Sequence, residues 1–122
     1  MTKVFVYGTL KEGHYNNYLL VRGKKLGEAM TLQPFVLYNC GFPIAVEHSE
    51  DAPLLPVMGE VWEVDAETLL RLDRLEGHPD WYERKKVSVT GDYDGEVDMY
   101  IQPNSRTKQL SNIIDNMYYK WG

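Results

Sequence analysis

The sequence is short of the residues from which many sites are built. Its one cysteine, Cys40, rules out an internal disulfide. The three histidines, His14, His48 and His78, are separated from each other and from Cys40 by more than the close offsets that zinc sites use, so no metal is expected. Basic residues are in deficit, thirteen against eighteen acidic ones, and the resulting net charge of −5 argues against nucleic acid or an anionic membrane surface as partner. No apolar run approaches the ~20 residues that span a bilayer. The N-terminus leads straight into a strand-like run, without the layout of a signal peptide. Repeats, low-complexity tracts and dividing linkers are absent too. Together these absences point to a cytoplasmic, soluble protein of a reducing compartment, and 122 residues suffice for one core.

What is present reads mainly as short β segments. Lys3–Tyr7 is apolar on both faces beyond its first residue, as a central buried strand is. The spans 26–32, 34–38 and 43–46 are β-like pieces punctuated by Gly, Asn and Pro, and 57–64 resumes the alternation. A further pair, 82–90 and 96–102, is joined by Gly91-Asp92-Tyr93-Asp94-Gly95 as a hairpin. Helical spacing is expected in three places: a short helix over 14–21 with Tyr15, Tyr18, Leu19 and Val21 on one face, a helix over 66–75 capped by Asp65, and the tail. In the tail Leu110, Ile113, Ile114, Met117, Tyr118 and Trp121 form an apolar stripe. The expected division is a domain over 1–103 and a helical extension over 104–122 packed on it, whose stripe either covers a pocket mouth or makes a dimer contact. A monomer or weak homodimer is the expected state.

One residue breaks the pattern. Leu69, Leu72 and Leu75 are spaced for the core face of the second helix, and Glu76 continues the same stripe, where a carboxylate is costly to ionise. Gly77 and Pro79 end the helix there, so burial and the negative end of the helix dipole both act to raise its pKa towards that of a general acid or base. A structural reading competes: Glu76 pairs with Arg84 or Lys85. Asp73, the other carboxylate on this helix, lies off the Leu72–Glu76 line and is expected in solvent, which counts against a glycosidase pair. Cys40, in a predicted turn without a thiol-catalysis signature, reads as a buried structural thiol. Gly8 and Gly13 have the offset of a phosphate loop, but His14 and Tyr15 stand where that motif needs Lys and Ser or Thr. What survives is a loop whose backbone N–H groups can cradle a carboxylate or an oxyanion.

Four blocks in order carry a resemblance: Val4-Phe5-Val6-Tyr7-Gly8-Thr9-Leu10-Lys11 with Gly13 and Asn16 beyond it; Gly41-Phe42-Pro43; Gly59-Glu60-Val61-Trp62 with Val64-Asp65; and Leu72-Asp73 with Glu76-Gly77, Pro79, Tyr82 and Arg84. Over residues 2–102 the chain resembles the γ-glutamylcyclotransferase-like family and is most similar to its γ-glutamylamine cyclotransferase branch; the tail from Pro103 has no matching block. The resemblance implies an α+β fold, a small mixed β-barrel-like sheet flanked by short helices. It also implies an activity in which the α-amine of a γ-glutamyl substrate attacks its own side-chain carbonyl, releasing 5-oxoproline and the attached amine without a cofactor. By the same resemblance Glu76 is the catalytic base, Tyr7, Gly8, Thr9 and Leu10 form the substrate-binding loop, and Tyr82 and Tyr100 are pocket tyrosines. The small-molecule γ-glutamyl substrate is the one partner implied. A related amide lyase or hydrolase, or a non-catalytic binding protein on the same fold, stays open.

Overall fold

The computed structural model describes residues 1–50, 52–103 and 109–122. In chain order its strands are β1 (Thr2–Val6), β2 (Lys24–Thr31), β3 (Val36–Asn39), β4 (Pro43–Val46), β5 (Met58–Val64), β6 (Glu83–Gly91), β7 (Gly95–Ile101), β8 (Asn112–Ile114) and β9 (Tyr118–Lys120). One α-helix, α1 (Ala66–Glu76), joins β5 to β6. A closed barrel runs in the order β1-β5-β2-β6-β7, while β3-β4 and β8-β9 are separate two-stranded ribbons. Barrel neighbours are antiparallel except at the seam, where β1 and β7 run parallel with Val4 opposite Asp98 and Phe5 opposite Met99. Closure leaves the main sheet no free edge.

The all-apolar start of the chain occupies the place its composition predicts: β1 lies between β5 and β7, and Val4, Phe5 and Val6 are buried. On β6 the alternation separates buried Val87 and Val89 from exposed Lys86, Ser88 and Thr90. The β3-β4 hairpin docks on the end of β7, where the Gln102 N–H donates to Ala45 O at 2.9 Å. The N-cap of α1 is as expected, with Asp65 Oδ1 accepting from the Thr68 N–H at 2.7 Å. The helix stops at Gly77, whose φ of 64° is left-handed and whose N–H turns back to Arg74 O. Among the described residues no helix is long and apolar enough to cross a membrane.

Two expected helices are not formed. Over 14–21 only a single 3-10 turn, Asn17–Leu20, is present, and it buries Leu20 while Tyr15, Tyr18 and Val21 are 70%, 68% and 82% exposed. The reason lies in the asparagines. Asn16 Nδ2 donates to Thr9 Oγ1 and Asn17 Nδ2 to Leu10 O, so these side chains tie the segment back onto the preceding loop instead of leaving it free to wind. In the tail, residues 104–108 of the expected extension lie outside the described residues, and 112–120 form the β8-β9 ribbon in place of a helix. Asp115 and Asn116 take φ of 52° and 56°, and the Met117 N–H closes the turn on Ile114 O. Asp and Asn tolerate left-handed backbone better than other side chains, so this pair favours a hairpin turn. The ribbon is anchored by Tyr119, fully buried, with its N–H on Pro56 O and its hydroxyl on Pro53 O.

Candidate active site

At one end of the barrel three pieces of chain meet: the loop after β1, the β3-β4 turn and the last turn of α1. They enclose a narrow cavity of about 40 Å³ lined by Tyr7, Gly8, Thr9, Leu10, Glu76, Tyr82 and Tyr100, with Phe42 and Pro43 from the hairpin turn. All seven residues expected at the site therefore share one wall surface. Phe42 and Pro43 are additions to that set, although Gly41-Phe42-Pro43 is one of the sequence blocks that carry the resemblance. Their proximity explains Gly8: a Cβ there would stand 2.1 Å from Pro43 Cγ, so glycine lets loop and hairpin close on each other.

Glu76 enters this cavity from the end of α1. Burial raises its pKa from the ordinary carboxylate range to about 7. Neither expected salt-bridge partner reaches it. Arg84 is held by Asp73 at 3.0 Å and Asp98 at 2.9 Å, and Lys85 Nζ by Glu47 Oε1 at 3.0 Å. Among the described residues the Glu76 carboxyl has no hydrogen bond or ion pair, which leaves its lone pairs for a ligand.

The tyrosines do something other than offer hydroxyl donors. Tyr7 Oη donates to Tyr100 O at 2.5 Å, Tyr82 Oη to Pro43 O at 2.8 Å, and Tyr100 Oη to Asp73 Oδ1 at 2.6 Å. Each hydroxyl proton is thus used in tying one wall to another: the loop after β1 to β7, the turn before β6 to the hairpin, and β7 to α1. Burial, with Glu76 adding to it, raises the pKa of all three, so they remain neutral. Donors to a ligand come instead from the loop. The N–H groups of Gly8, Thr9 and Leu10 have no acceptor among the described residues, on a wall with no cationic side chain. A row of free backbone amides in a buried pocket favours a carboxylate or an oxyanion.

A family model described as gamma-glutamyl cyclotransferase, AIG2-like, matches residues 4–121. The chain belongs to that family. A Methanocaldococcus jannaschii protein, provisionally named a gamma-glutamylcyclotransferase, is 40% identical over 108 residues, covering 86% of this chain and 88% of its own. The gamma-glutamylaminecyclotransferase of Bos taurus is 41% identical over 100 residues, 73% of this chain and 56% of the bovine one. An AIG2-like protein of Mus musculus superposes with a TM-score of 0.76 at 22% identity over 98% of this chain and 95% of that one, a likeness of fold. The barrel is therefore the AIG2-like γ-glutamyl cyclotransferase fold, and the chain is a γ-glutamylcyclotransferase-type protein. The family match also runs past Pro103 through the β8-β9 ribbon, beyond residue 102 where the sequence blocks end.

Three local expectations change in this γ-glutamyl cyclotransferase-type barrel. Asp73 does not face solvent: it takes Arg84 Nε at 3.0 Å, Arg84 Nη2 at 3.3 Å and the Tyr100 hydroxyl, because α1 lies against the barrel end with this side inward. With its oxygens so occupied it is no partner carboxylate for Glu76, and a glycosidase pair fails for that reason. Leu75, expected on the core face with Leu69 and Leu72, is 44% exposed, since the inward side of α1 runs through Leu72, Asp73 and Glu76 and leaves Leu75 at its edge; Leu72 is fully buried. Cys40 is exposed rather than buried, lying at the tip of the β3-β4 hairpin. Among the described residues no group of three or more His, Cys, Asp or Glu is placed to hold a metal ion.

Proposed function

We propose that this chain releases 5-oxoproline and a free amine from a γ-glutamylamine, γ-glutamyl-ε-lysine being one such compound, with Glu76 as general base and then general acid. The observation that carries this reading is the unpaired Glu76 carboxyl, raised to about 7 by burial, on the same cavity wall as the free Gly8, Thr9 and Leu10 amides. An α-ammonium has a pKa of about 8 and cannot attack until it loses a proton. Glu76, near neutrality, takes that proton. The amine nitrogen then bonds to the γ-carbonyl carbon of its own side chain, and the loop amides stabilise the oxygen that becomes negative. Glu76 returns the proton to the departing nitrogen as its bond to carbon breaks, and the second proton that the attacking nitrogen sheds on becoming the lactam N–H ends on the released amine, so the products are 5-oxoproline and the amine as its ammonium ion. Every atom in the products comes from the substrate, so the step balances without oxidant, reductant or added group. Because the attack is intramolecular, a cavity that folds the glutamyl chain towards a ring lowers much of the barrier.

The test is 5-oxoproline release from a panel of γ-glutamylamines and γ-glutamyl peptides, measured by mass spectrometry. The expected result is turnover of at least one member by the native chain and a loss of ~10²-fold or more in a folded Glu76→Gln variant, the size general-base removal typically gives. Equal turnover by both would end the assignment of the base. Binding of panel members by both without any release would leave a binding protein on this fold.

A further inference from the structure

Beyond the narrow cavity the site opens into a chamber of about 400 Å³, and the two compartments share Thr9, Phe42, Glu76 and Tyr82 at the throat between them. With the glutamyl part inside and the reacting carbonyl at Glu76, whatever leaves with the amine must occupy this outer chamber. Its remaining walls are distinctive. Trp81, Tyr15 and Leu75 line it while being 68%, 70% and 44% exposed, three large apolar side chains gathered at one opening. Trp81 is held in place by its own N–H on Gly77 O at 2.8 Å, in the turn that ends α1.

Arg74, in the last turn of α1, also lines the chamber. Its neighbours in charge are all matched: Arg71 with Glu67, Arg22 with Glu67 and Asp65, Arg84 with Asp73 and Asp98. Arg74 alone of these has no anionic partner among the described residues. Glu76 and Arg74 are the two charged side chains on the chamber wall. Once Glu76 has taken up the amine proton, the wall carries only the positive charge of Arg74. A planar guanidinium recognises a carboxylate by paired hydrogen bonds, and it repels a second cation.

We propose, resting on the cyclotransferase reading, that the outer chamber selects departing amines that combine an apolar body with a carboxylate, Arg74 binding the carboxylate and Trp81 covering the apolar body. Both γ-glutamyl-phenylalanine and γ-glutamyl-ε-lysine meet that description. Their decarboxylated counterparts, γ-glutamyl-phenethylamine and γ-glutamyl-cadaverine, keep the body and lose the anion.

The experiment compares kcat/KM within each pair for the native chain, Arg74→Gln and Trp81→Ala. An exposed charge pair is worth a few-fold, so the native chain is expected to prefer the carboxylate member of each pair by about 3- to 10-fold. Arg74→Gln should bring both ratios close to one. Trp81→Ala should leave the ratios standing while lowering turnover of γ-glutamyl-phenylalanine relative to γ-glutamyl-glycine. Equal rates within both native pairs, or a ratio that survives Arg74→Gln, would overturn the proposal even with 5-oxoproline plainly released. Calorimetric binding of the same four compounds to Glu76→Gln separates it from the catalytic reading: a carboxylate preference in binding, abolished by adding Arg74→Gln, supports the subsite whether or not 5-oxoproline is formed. Equal binding of all four rejects it.

Discussion

Glu76 occupies a position that is poor for stability and useful for chemistry. Its folded pKa of about 7 lies above the ordinary carboxylate value of 4.5, so between those limits the folded state holds a proton that the unfolded chain releases. Stability therefore falls as pH rises through that window and is least affected below it, where the carboxyl is protonated in both states. Glu76→Gln removes the penalty, and the variant is expected to be more stable than the native chain by about 1–3 kcal/mol at pH 8, with no difference near pH 4. Urea unfolding at the two pH values checks this; an equal midpoint shift at both would mean that the effect is not ionisation. The sequence made this residue legible because a glutamate on a leucine stripe, ahead of a glycine stop, is inconsistent with simple packing. It did not make Asp73 legible. Helical spacing places Asp73 relative to α1, but only the tertiary position of Arg84 and Tyr100 decides that this side of the helix is satisfied by the barrel.

Among the elements, strands and the α1 boundaries agree closely with alternation, turn residues and capping, whereas the tail and the segment after the glycine loop do not. Leu110, Ile113, Ile114, Met117, Tyr118 and Trp121 fit a helix by spacing, yet Asp115 and Asn116 fit a tight turn, and pairing with nearby backbone decides between them. The β9 end then reaches the site by a route that periodicity cannot show. Lys11 Nζ donates to Trp121 O at 2.5 Å, the His14 and Trp121 rings lie 5.3 Å apart, and Trp121 Nε1 donates to Asn39 Oδ1 at 3.2 Å. Trp121 thus ties the loop after β1 to the β3-β4 hairpin, the two pieces that wall the cavity together with Glu76. Trp121→Ala is expected to cost about 1–3 kcal/mol of stability, from one ring contact and one hydrogen bond, and to raise KM several-fold while lowering kcat by less. Trp121→Phe, which keeps a ring and loses the indole donor, should fall between the alanine variant and the native chain. Unchanged KM in the alanine variant would show that the loop and hairpin hold their positions without the tail.

At the scale of the whole molecule, the closed barrel supplies rigidity and the site is assembled at its end by loops and a helix terminus. Fold class was accessible from the short strands and the ordered sequence blocks, while the parallel β1-β7 seam was not, since it joins segments far apart in the chain. That seam sets β1, and hence the loop after it, beside Tyr100 of β7 and near the end of α1. The result is one unpaired carboxyl sharing a narrow cavity with a row of unpaired amides. In the proposed reaction this carboxyl moves the proton. The most direct measurement is the pH dependence of kcat/KM for 5-oxoproline release by the native chain, using the best substrate of the panel. An acid limb is predicted near pH 7, with activity falling about tenfold per pH unit below it, and Glu76→Gln should lose both the limb and at least ~10²-fold in rate. A flat profile from about pH 5 to 8, or a Glu76→Gln variant that keeps the native rate, would contradict the account.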